Sequence, residues 1–181
     1  MNFSIISSFI IGTILLVSLV KVNLSLVGNS MDAMYDQVAK IHVNSIATLV
    51  SHDFRKMGYG LTGGSLQEAT PSRITFQGDL DDDGLVDMVS WEWDKTQHVT
   101  ETSNPNDYVL LRIVNGKSTP IKMGVIRFEL SYYDKLNQPT AIIEEVRGIR
   151  VRLLSESADP VGSKYMKASW EKKFVPLNIE N

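Results

Sequence analysis

Nine residues in the middle of the chain carry the densest chemistry: Asp79-Leu80-Asp81-Asp82-Asp83-Gly84-Leu85-Val86-Asp87. Carboxylates stand at the first, third, fifth and ninth positions, with glycine at the sixth. This is the oxygen-donor spacing of a loop that turns alternate side chains inward onto one hard cation, with glycine permitting the sharp bend. Asp79, Asp81, Asp83 and Asp87 are the expected carboxylate ligands, and Leu85 holds the position that offers a main-chain carbonyl. The twelfth position, where an EF-hand supplies a bidentate glutamate, is Ser90. The flanks read as strands. The spacing therefore points to a calcium loop between strands, weak in affinity because a ligand is missing. The competing reading is an acidic β-turn without metal. In either case five carboxylates crowd into nine residues, and a cation would relieve their repulsion.

Little else is patterned for chemistry. The chain has 181 residues and no cysteine, which excludes disulfides, zinc–thiolate centres and thiol catalysis. His42, His52 and His98 show no metal spacing, and no nucleophile elbow or glycine-rich phosphate loop is present. His52 and Asp53 beside Arg55 read as a solvated helix end, and His98 sits in a polar turn. Trp91 and Trp93 fall on one face of a strand, the usual mark of a core or an interface. Arg147, Arg150 and Arg152, near Glu144 and Glu145, read as an exposed, salt-bridged strand face. No enzymatic activity is expected. With 18 basic against 21 acidic residues the formal charge is −3, so a nucleic-acid partner is not expected either.

The elements that must position the acidic loop begin at the N-terminus. Phe3 to Val20 contains no charged residue, and as a helix it spans about 27 Å, close to the apolar thickness of a bilayer. An uncleaved membrane anchor is the expectation, over a cleaved signal or a buried core helix. The helical spacing continues through Leu24, Val27, Met31, Met34, Tyr35, Val38, Ile41, Ile46, Leu49, Val50 and Phe54, with a weak point at Gly28-Asn29-Ser30. Arg55 marks its end, before the glycines at 58, 60, 63 and 64. Residues 1–20 form the transmembrane half, 21–57 an amphipathic half, and 58–181 a β-rich extracytoplasmic domain.

From Arg73 the period changes to two. Strands are expected at Ile74–Phe76, Val86–Trp93, Tyr108–Val114, Thr119–Met123, Val125–Tyr133, Val146–Leu154 and Tyr165–Val175. Asn115-Gly116 forms a type I′ hairpin turn, and Asp134–Pro139 a second turn. No later helix of any length is expected. The fold class is α+β, one long N-terminal helix packed on an antiparallel sheet.

In that order, these phrases resemble the type IV pilin-like proteins, and most closely the PilW- and GspJ-type minor pilins and minor pseudopilins. The helix closes on Leu49–Tyr59 in the manner of "L..D.R.AGY". The acidic loop and strand to Trp91 resemble "D.DGDG..D.V.Y". Leu110 to Asp134, with Arg112, Asn115, Gly116, Pro120, Val125, Phe128 and Tyr133, resembles "L.R..NG...P...gV..f.f.Y.d". Val146–Leu154 and Phe174–Asn178 fit the closing phrases. The likeness covers nearly the whole chain, and the order of the phrases carries it. Setting Phe3 against the family's usual first phenylalanine puts Ser7 at the family's glutamate position. Asn2 stands where the resemblance would lead one to expect the family's leader glycine.

The resemblance implies a structural minor subunit of a type IV pilus or type II secretion pseudopilus. It would be held in the inner membrane, with its C-terminal domain in the periplasm or outside the cell. Other pilin or pseudopilin subunits would be its partners. Phe3, Ile6, Ser7, Phe9, Ile10, Ile14, Leu15 and Val17 are the expected filament and membrane packing residues. The alternative is a membrane-anchored, calcium-dependent extracytoplasmic binding module that uses its sheet and the Trp91/Trp93 region.

Overall fold

A computed structural model describes residues 3–176 and 179. The end of the closing phrase, at Leu177 and Asn178, lies outside the described residues. One helix, α1, runs without a break from Phe3 to Arg55, 53 residues or about 80 Å. Gly28-Asn29-Ser30 does not interrupt it, and Ser30 donates its hydroxyl to the Leu26 carbonyl at 2.8 Å. The first half of α1 is uncharged to Val20, with exposed apolar side chains on every face and no packed neighbour among the described residues. Its hydroxyls turn back on the helix: Ser7 to Phe3, Thr13 to Phe9 and Ser18 to Ile14 at 2.8–2.9 Å. These three hydroxyls are thereby satisfied within the segment, as an apolar surrounding requires.

Packing on the β domain begins only past Met34. The buried stripe is Ala39, Val43, Ile46, Ala47, Val50 and Phe54. This corrects the expected stripe in part. Ile46, Val50 and Phe54 do turn inward, but Leu24, Val27, Met31, Met34, Ile41 and Leu49 are exposed. The difference lies with the small residues. Ala39, Ala47 and Val43 let the helix sit close on the sheet, and a reading weighted to large side chains passes over them.

Eight strands follow in two antiparallel meanders. The first sheet is β1 (Leu66–Ala69), β2 (Arg73–Gly78), β3 (Asp87–His98), β4 (Tyr108–Val114) and β5 (Lys117–Ile121), in sequence order. The second is β6 (Val125–Tyr133), β7 (Gly148–Glu156) and β8 (Lys167–Phe174). Helix α1 lies on β8 and β7, and β4 meets β6 where the sheets join. The fold is α+β and pilin-like in architecture: a long apolar N-terminal helix packed against antiparallel sheets. A short 3₁₀ turn at Ile143–Glu145 interrupts the link to β7. β1 was not foreseen, because Leu66-Gln67-Glu68-Ala69 has neither β-branched nor aromatic residues.

Phe54 closes the core, 5.5 Å from Phe76 of β2 and 5.1 Å from Phe174 of β8, ring centre to ring centre. Trp91 stacks on Phe128 across the two sheets. The expected arginine face is present, but its partners differ. Arg152 stands in register with Glu129 on β6 and Glu171 on β8, and its Nε donates to Glu171 at 2.8 Å. Glu144 and Glu145 do not pair with it. Arg147 instead donates to the main-chain oxygens of Glu144 and Val146. Residues directly opposite across a ladder meet more readily than residues a few positions along the chain.

Where α1 ends, backbone meets backbone. Gly58 donates to the Gln77 carbonyl at 2.8 Å and Asp79 to the Tyr59 carbonyl at 2.9 Å. A Cβ at Gly78 would collide with the Lys56 carbonyl oxygen. Gly78→Ala is therefore expected to destabilise the chain by about 2 kcal/mol or more, because neither backbone can yield. Chemical unfolding of the detergent-solubilised protein measures this, and an unchanged midpoint would contradict the close approach.

Candidate metal centre and the buried ion pair beside it

The acidic loop joins β2 to β3, and the strand ends hold its two outer carboxylates. Asp79 follows the last residue of β2, and Asp87 opens β3. The structure brings Asp79, Asp81 and Asp87 together, with one ligand oxygen from each lying within 4.8 Å of the others. Asp79 is only 5 % exposed. Its Oδ2 accepts the Gly84 N–H at 3.0 Å, while its buried Oδ1 has no hydrogen-bond partner among the described residues. Asp87 accepts the Leu80 N–H at 3.0 Å and the Asn115 side-chain amide at 2.6 Å. Gly84 has φ +84° and Asp82 φ +62°, so the loop turns through left-handed backbone at two points.

Asp83 is not part of the group. Its carboxylate accepts the N–H of Leu85 at 2.7 Å. Leu85 itself stands well exposed at the loop surface. Asp82 points away and pairs with Lys56 from the end of α1. That carboxylate holds the Lys56 ammonium above its usual range. The donor set is thus three carboxylates, oxygen only, with a buried oxygen lacking any donor. This is the chemistry of a site for a hard cation, where Asp79 Oδ1 would otherwise stay unsatisfied.

A second polar cluster, one strand away, corrects a sequence expectation. Asp53 is not solvated. It is fully buried at the end of α1 and bound on both oxygens. Arg112 of β4 donates from Nε to Oδ2 at 2.7 Å and from Nη2 to Oδ1 at 2.9 Å. Trp91 Nε1 donates to Oδ2 at 2.9 Å. Trp91 and Arg112 stand opposite each other in the β3–β4 ladder, so the sheet presents both donors at one place. The carboxylate beside it raises the Arg112 guanidinium still further above its ordinary value. Exposed His52 contributes a longer contact of 3.3 Å to Asp53.

Two sequence signals foretell this pair. Asp53 lies seven residues after Ile46 and three after Val50, on the buried face. Arg112 is the one charge in the otherwise apolar strand YVLLRIV. With both carboxylate oxygens engaged, the cluster ties α1 to the first sheet.

His98 ends β3 rather than lying in a turn, with its ring 4.3 Å from that of Tyr108. Of the two tryptophans, Trp91 is wholly buried and Trp93 half-buried. Asp107, unremarked in the sequence, is fully buried between the β3–β4 loop and the start of β6. Burial raises its carboxyl above the ordinary range, and the Thr102 hydroxyl and the amides of Val125 and Gly124 only partly offset this. No family model, curated protein or solved structure matches the chain.

Two outcomes follow for stability. Arg112→Met leaves Asp53 charged and enclosed, and should cost about 3 kcal/mol or more. Asp53→Asn should cost less, because Arg112 is partly exposed and can turn to water; equal losses in urea unfolding would refute this ranking. Asp107 has a folded pKa above its unfolded one. It therefore removes stability as pH rises through the ordinary carboxylate value, and fully so above its folded value. Asp107→Asn should raise Tm at neutral pH, with the gain vanishing near pH 3, below the ordinary carboxylate range.

Proposed function

We propose that this chain is a minor subunit of a type IV pilus or type II secretion pseudopilus. In this reading it is held in the inner membrane and assembles with other pilin-like subunits through α1. One observation carries the reading. The exposed apolar surface of α1 does not stop where a lone membrane anchor would. Past exposed Val22, Leu24 and Leu26 it narrows to a seam at Val27, Met31, Met34, half-buried Val38 and Ile41, spaced three and four residues apart. Leu24 is 67 % exposed, Met34 64 % and Ile41 52 %, with none of the described residues covering them. That spacing is the seam of helix packed on helix, and in water such a seam is costly unless a partner covers it. The all-apolar half is long and apolar enough to cross a membrane. Lipid and neighbouring helices are interchangeable apolar surroundings for it. Ser7, at the family's glutamate position, has its hydroxyl on the Phe3 carbonyl, so packing there proceeds through apolar contact without a carboxylate.

The same reading assigns Asp79, Asp81 and Asp87 to a calcium ion, the hard cation that suits an oxygen-only set. The ion would neutralise the loop that leans on the end of α1 and on the Asn115 turn.

The chain has no cysteine, so a single introduced thiol reports on its own surroundings. Met34→Cys or Ile41→Cys should form disulfides or maleimide crosslinks to the N-terminal helix of a pilin-like subunit in cells that assemble the filament. Asp36→Cys, on the opposite face, should not. A Met34→Cys protein that stays a membrane-bound monomer would overturn the assembly role. For the cation, millimolar calcium should raise Tm, and Asp79→Asn should abolish the rise. No calcium-dependent shift in the unaltered protein would remove calcium from the assignment.

A further inference from the structure

The second sheet ends on β8, which pairs with β7 on one side only. Just before β8, the Met166 carbonyl accepts the N–H of Ser157, the residue after β7, at 2.8 Å. Strand backbone alternates, so residues two apart direct their N–H and C=O groups to the same side. Ala168, Trp170, Lys172 and Phe174 therefore bond β7, while Lys167, Ser169, Glu171 and Lys173 turn both groups to the outer edge. These last four are all exposed. Among the described residues no backbone bond outside the ladders reaches them. Lysines projecting across such an edge commonly blunt it, but the lysines of β8 are drawn elsewhere. Lys167 pairs with Glu156 at 2.8 Å, Lys173 bonds Asn137 over the Tyr133 ring, and Lys172 lies over the Phe174 ring.

A groove of about 590 Å³ lies between α1 and Trp170 of β8, with Asn44, Thr48, Ser51, His52 and Arg55 as its helical wall. At about 100° per residue, Asn44, Thr48, Ser51 and Arg55 all fall on the side of the helix opposite Asp53. Asp53 faces the first sheet through Arg112. The groove therefore faces away from the first sheet, where β8 ends the second one, and the free strand edge lies beside it. Its lining states the chemistry of an occupant. Trp170 is half-buried and gives an aromatic floor. Arg55 is exposed and, among the described residues, has no carboxylate partner, whereas its neighbour Lys56 is paired with Asp82. Glu171, the carboxylate of β8, points to the other face of the sheet and is matched there by Arg150 and Arg152.

We propose that an extended, carboxylate-bearing segment of another polypeptide adds to β8 as a fourth strand of the second sheet. Its main chain bonds Ser169 and Glu171, and its side chains alternate between the two faces. Those on the helix side enter the groove, where an apolar side chain rests on Trp170 and a carboxylate meets Arg55. Main-chain bonds supply attachment, and the groove supplies selection, as in other strand-addition sites. The surface is separate from the seam on α1 and does not depend on the filament reading.

A displayed library of short random peptides, panned against the full chain in detergent, tests this. Selected peptides should combine Asp or Glu with apolar residues, and should bind roughly tenfold more weakly to Arg55→Glu. Arg55 is exposed, so an unchanged Tm is the folding control. In the unaltered protein, bound synthetic peptide should slow hydrogen exchange at the Ser169 and Glu171 amides, and N-methylation of the peptide backbone should abolish binding. The proposal is overturned if no peptide is selected or if Arg55→Glu binds the peptides undiminished. It is equally overturned if an acidic peptide binds while the Ser169 and Glu171 amides exchange as before, since charge alone then holds it.

Discussion

A buried carboxylate at the end of a helix is doubly unfavourable. It loses its hydration, and it faces the negative end of the helix dipole. Asp53 is in that position, and the Arg112 guanidinium is what makes it tolerable. The rest of the β domain is arranged around that constraint. Arg112 comes from β4, an interior strand of the first sheet, and reaches the helix end with its side chain. Trp91 must be opposite Arg112 to supply the third hydrogen bond, which fixes the register of β3 on β4. Once β3 is fixed, its first residue, Asp87, has its place, and the acidic loop that joins it to β2 is brought beside the helix terminus. The geometry of the carboxylate cluster thus derives from the ion pair one strand away.

The sequence disclosed the architecture more readily than the contacts. The change from helical to alternating spacing near Arg73 is strong because it extends over many residues, and the Asn115-Gly116 turn allows few backbone solutions. The acidic loop was legible as a group because its ligands are close in sequence. What was hidden depends on distant partners. Asp53 looked like one more polar residue in a polar last turn. Only its spacing from Ile46 and Val50 marks it as inward, and only the lone charge in β4 suggests what meets it. Arg150 and Arg152 teach the same lesson: the salt-bridged face is there, but both answer to Glu171 across the ladder rather than to the glutamates a few positions before them in the chain. The helix stripe was misread for another reason, because alanine carries little hydrophobic signal yet decides how closely a helix can approach a sheet.

The loop also shows why spacing alone overstates a ligand set. Asp83 satisfies the pattern but caps its own turn at Leu85. Asp82, outside the pattern, serves Lys56. A short loop has more main-chain donors than a metal needs carboxylates, and local hydrogen bonding takes the surplus. What singles out Asp79 is burial with one oxygen left over, a property no count of positions can reveal.

The long helix has a mechanical corollary. It grips the β domain only along its final third, while the preceding residues extend free of it. Tension applied to the free end therefore enters the domain at one place and is carried as shear across Phe54 and the Asp53–Arg112 fork. A hydrophobic contact slides under shear, whereas two parallel N–H···O bonds resist displacement along the helix axis and fix rotation about it. The domain is thus joined to its helix by a keyed coupling, which transmits both pull and twist.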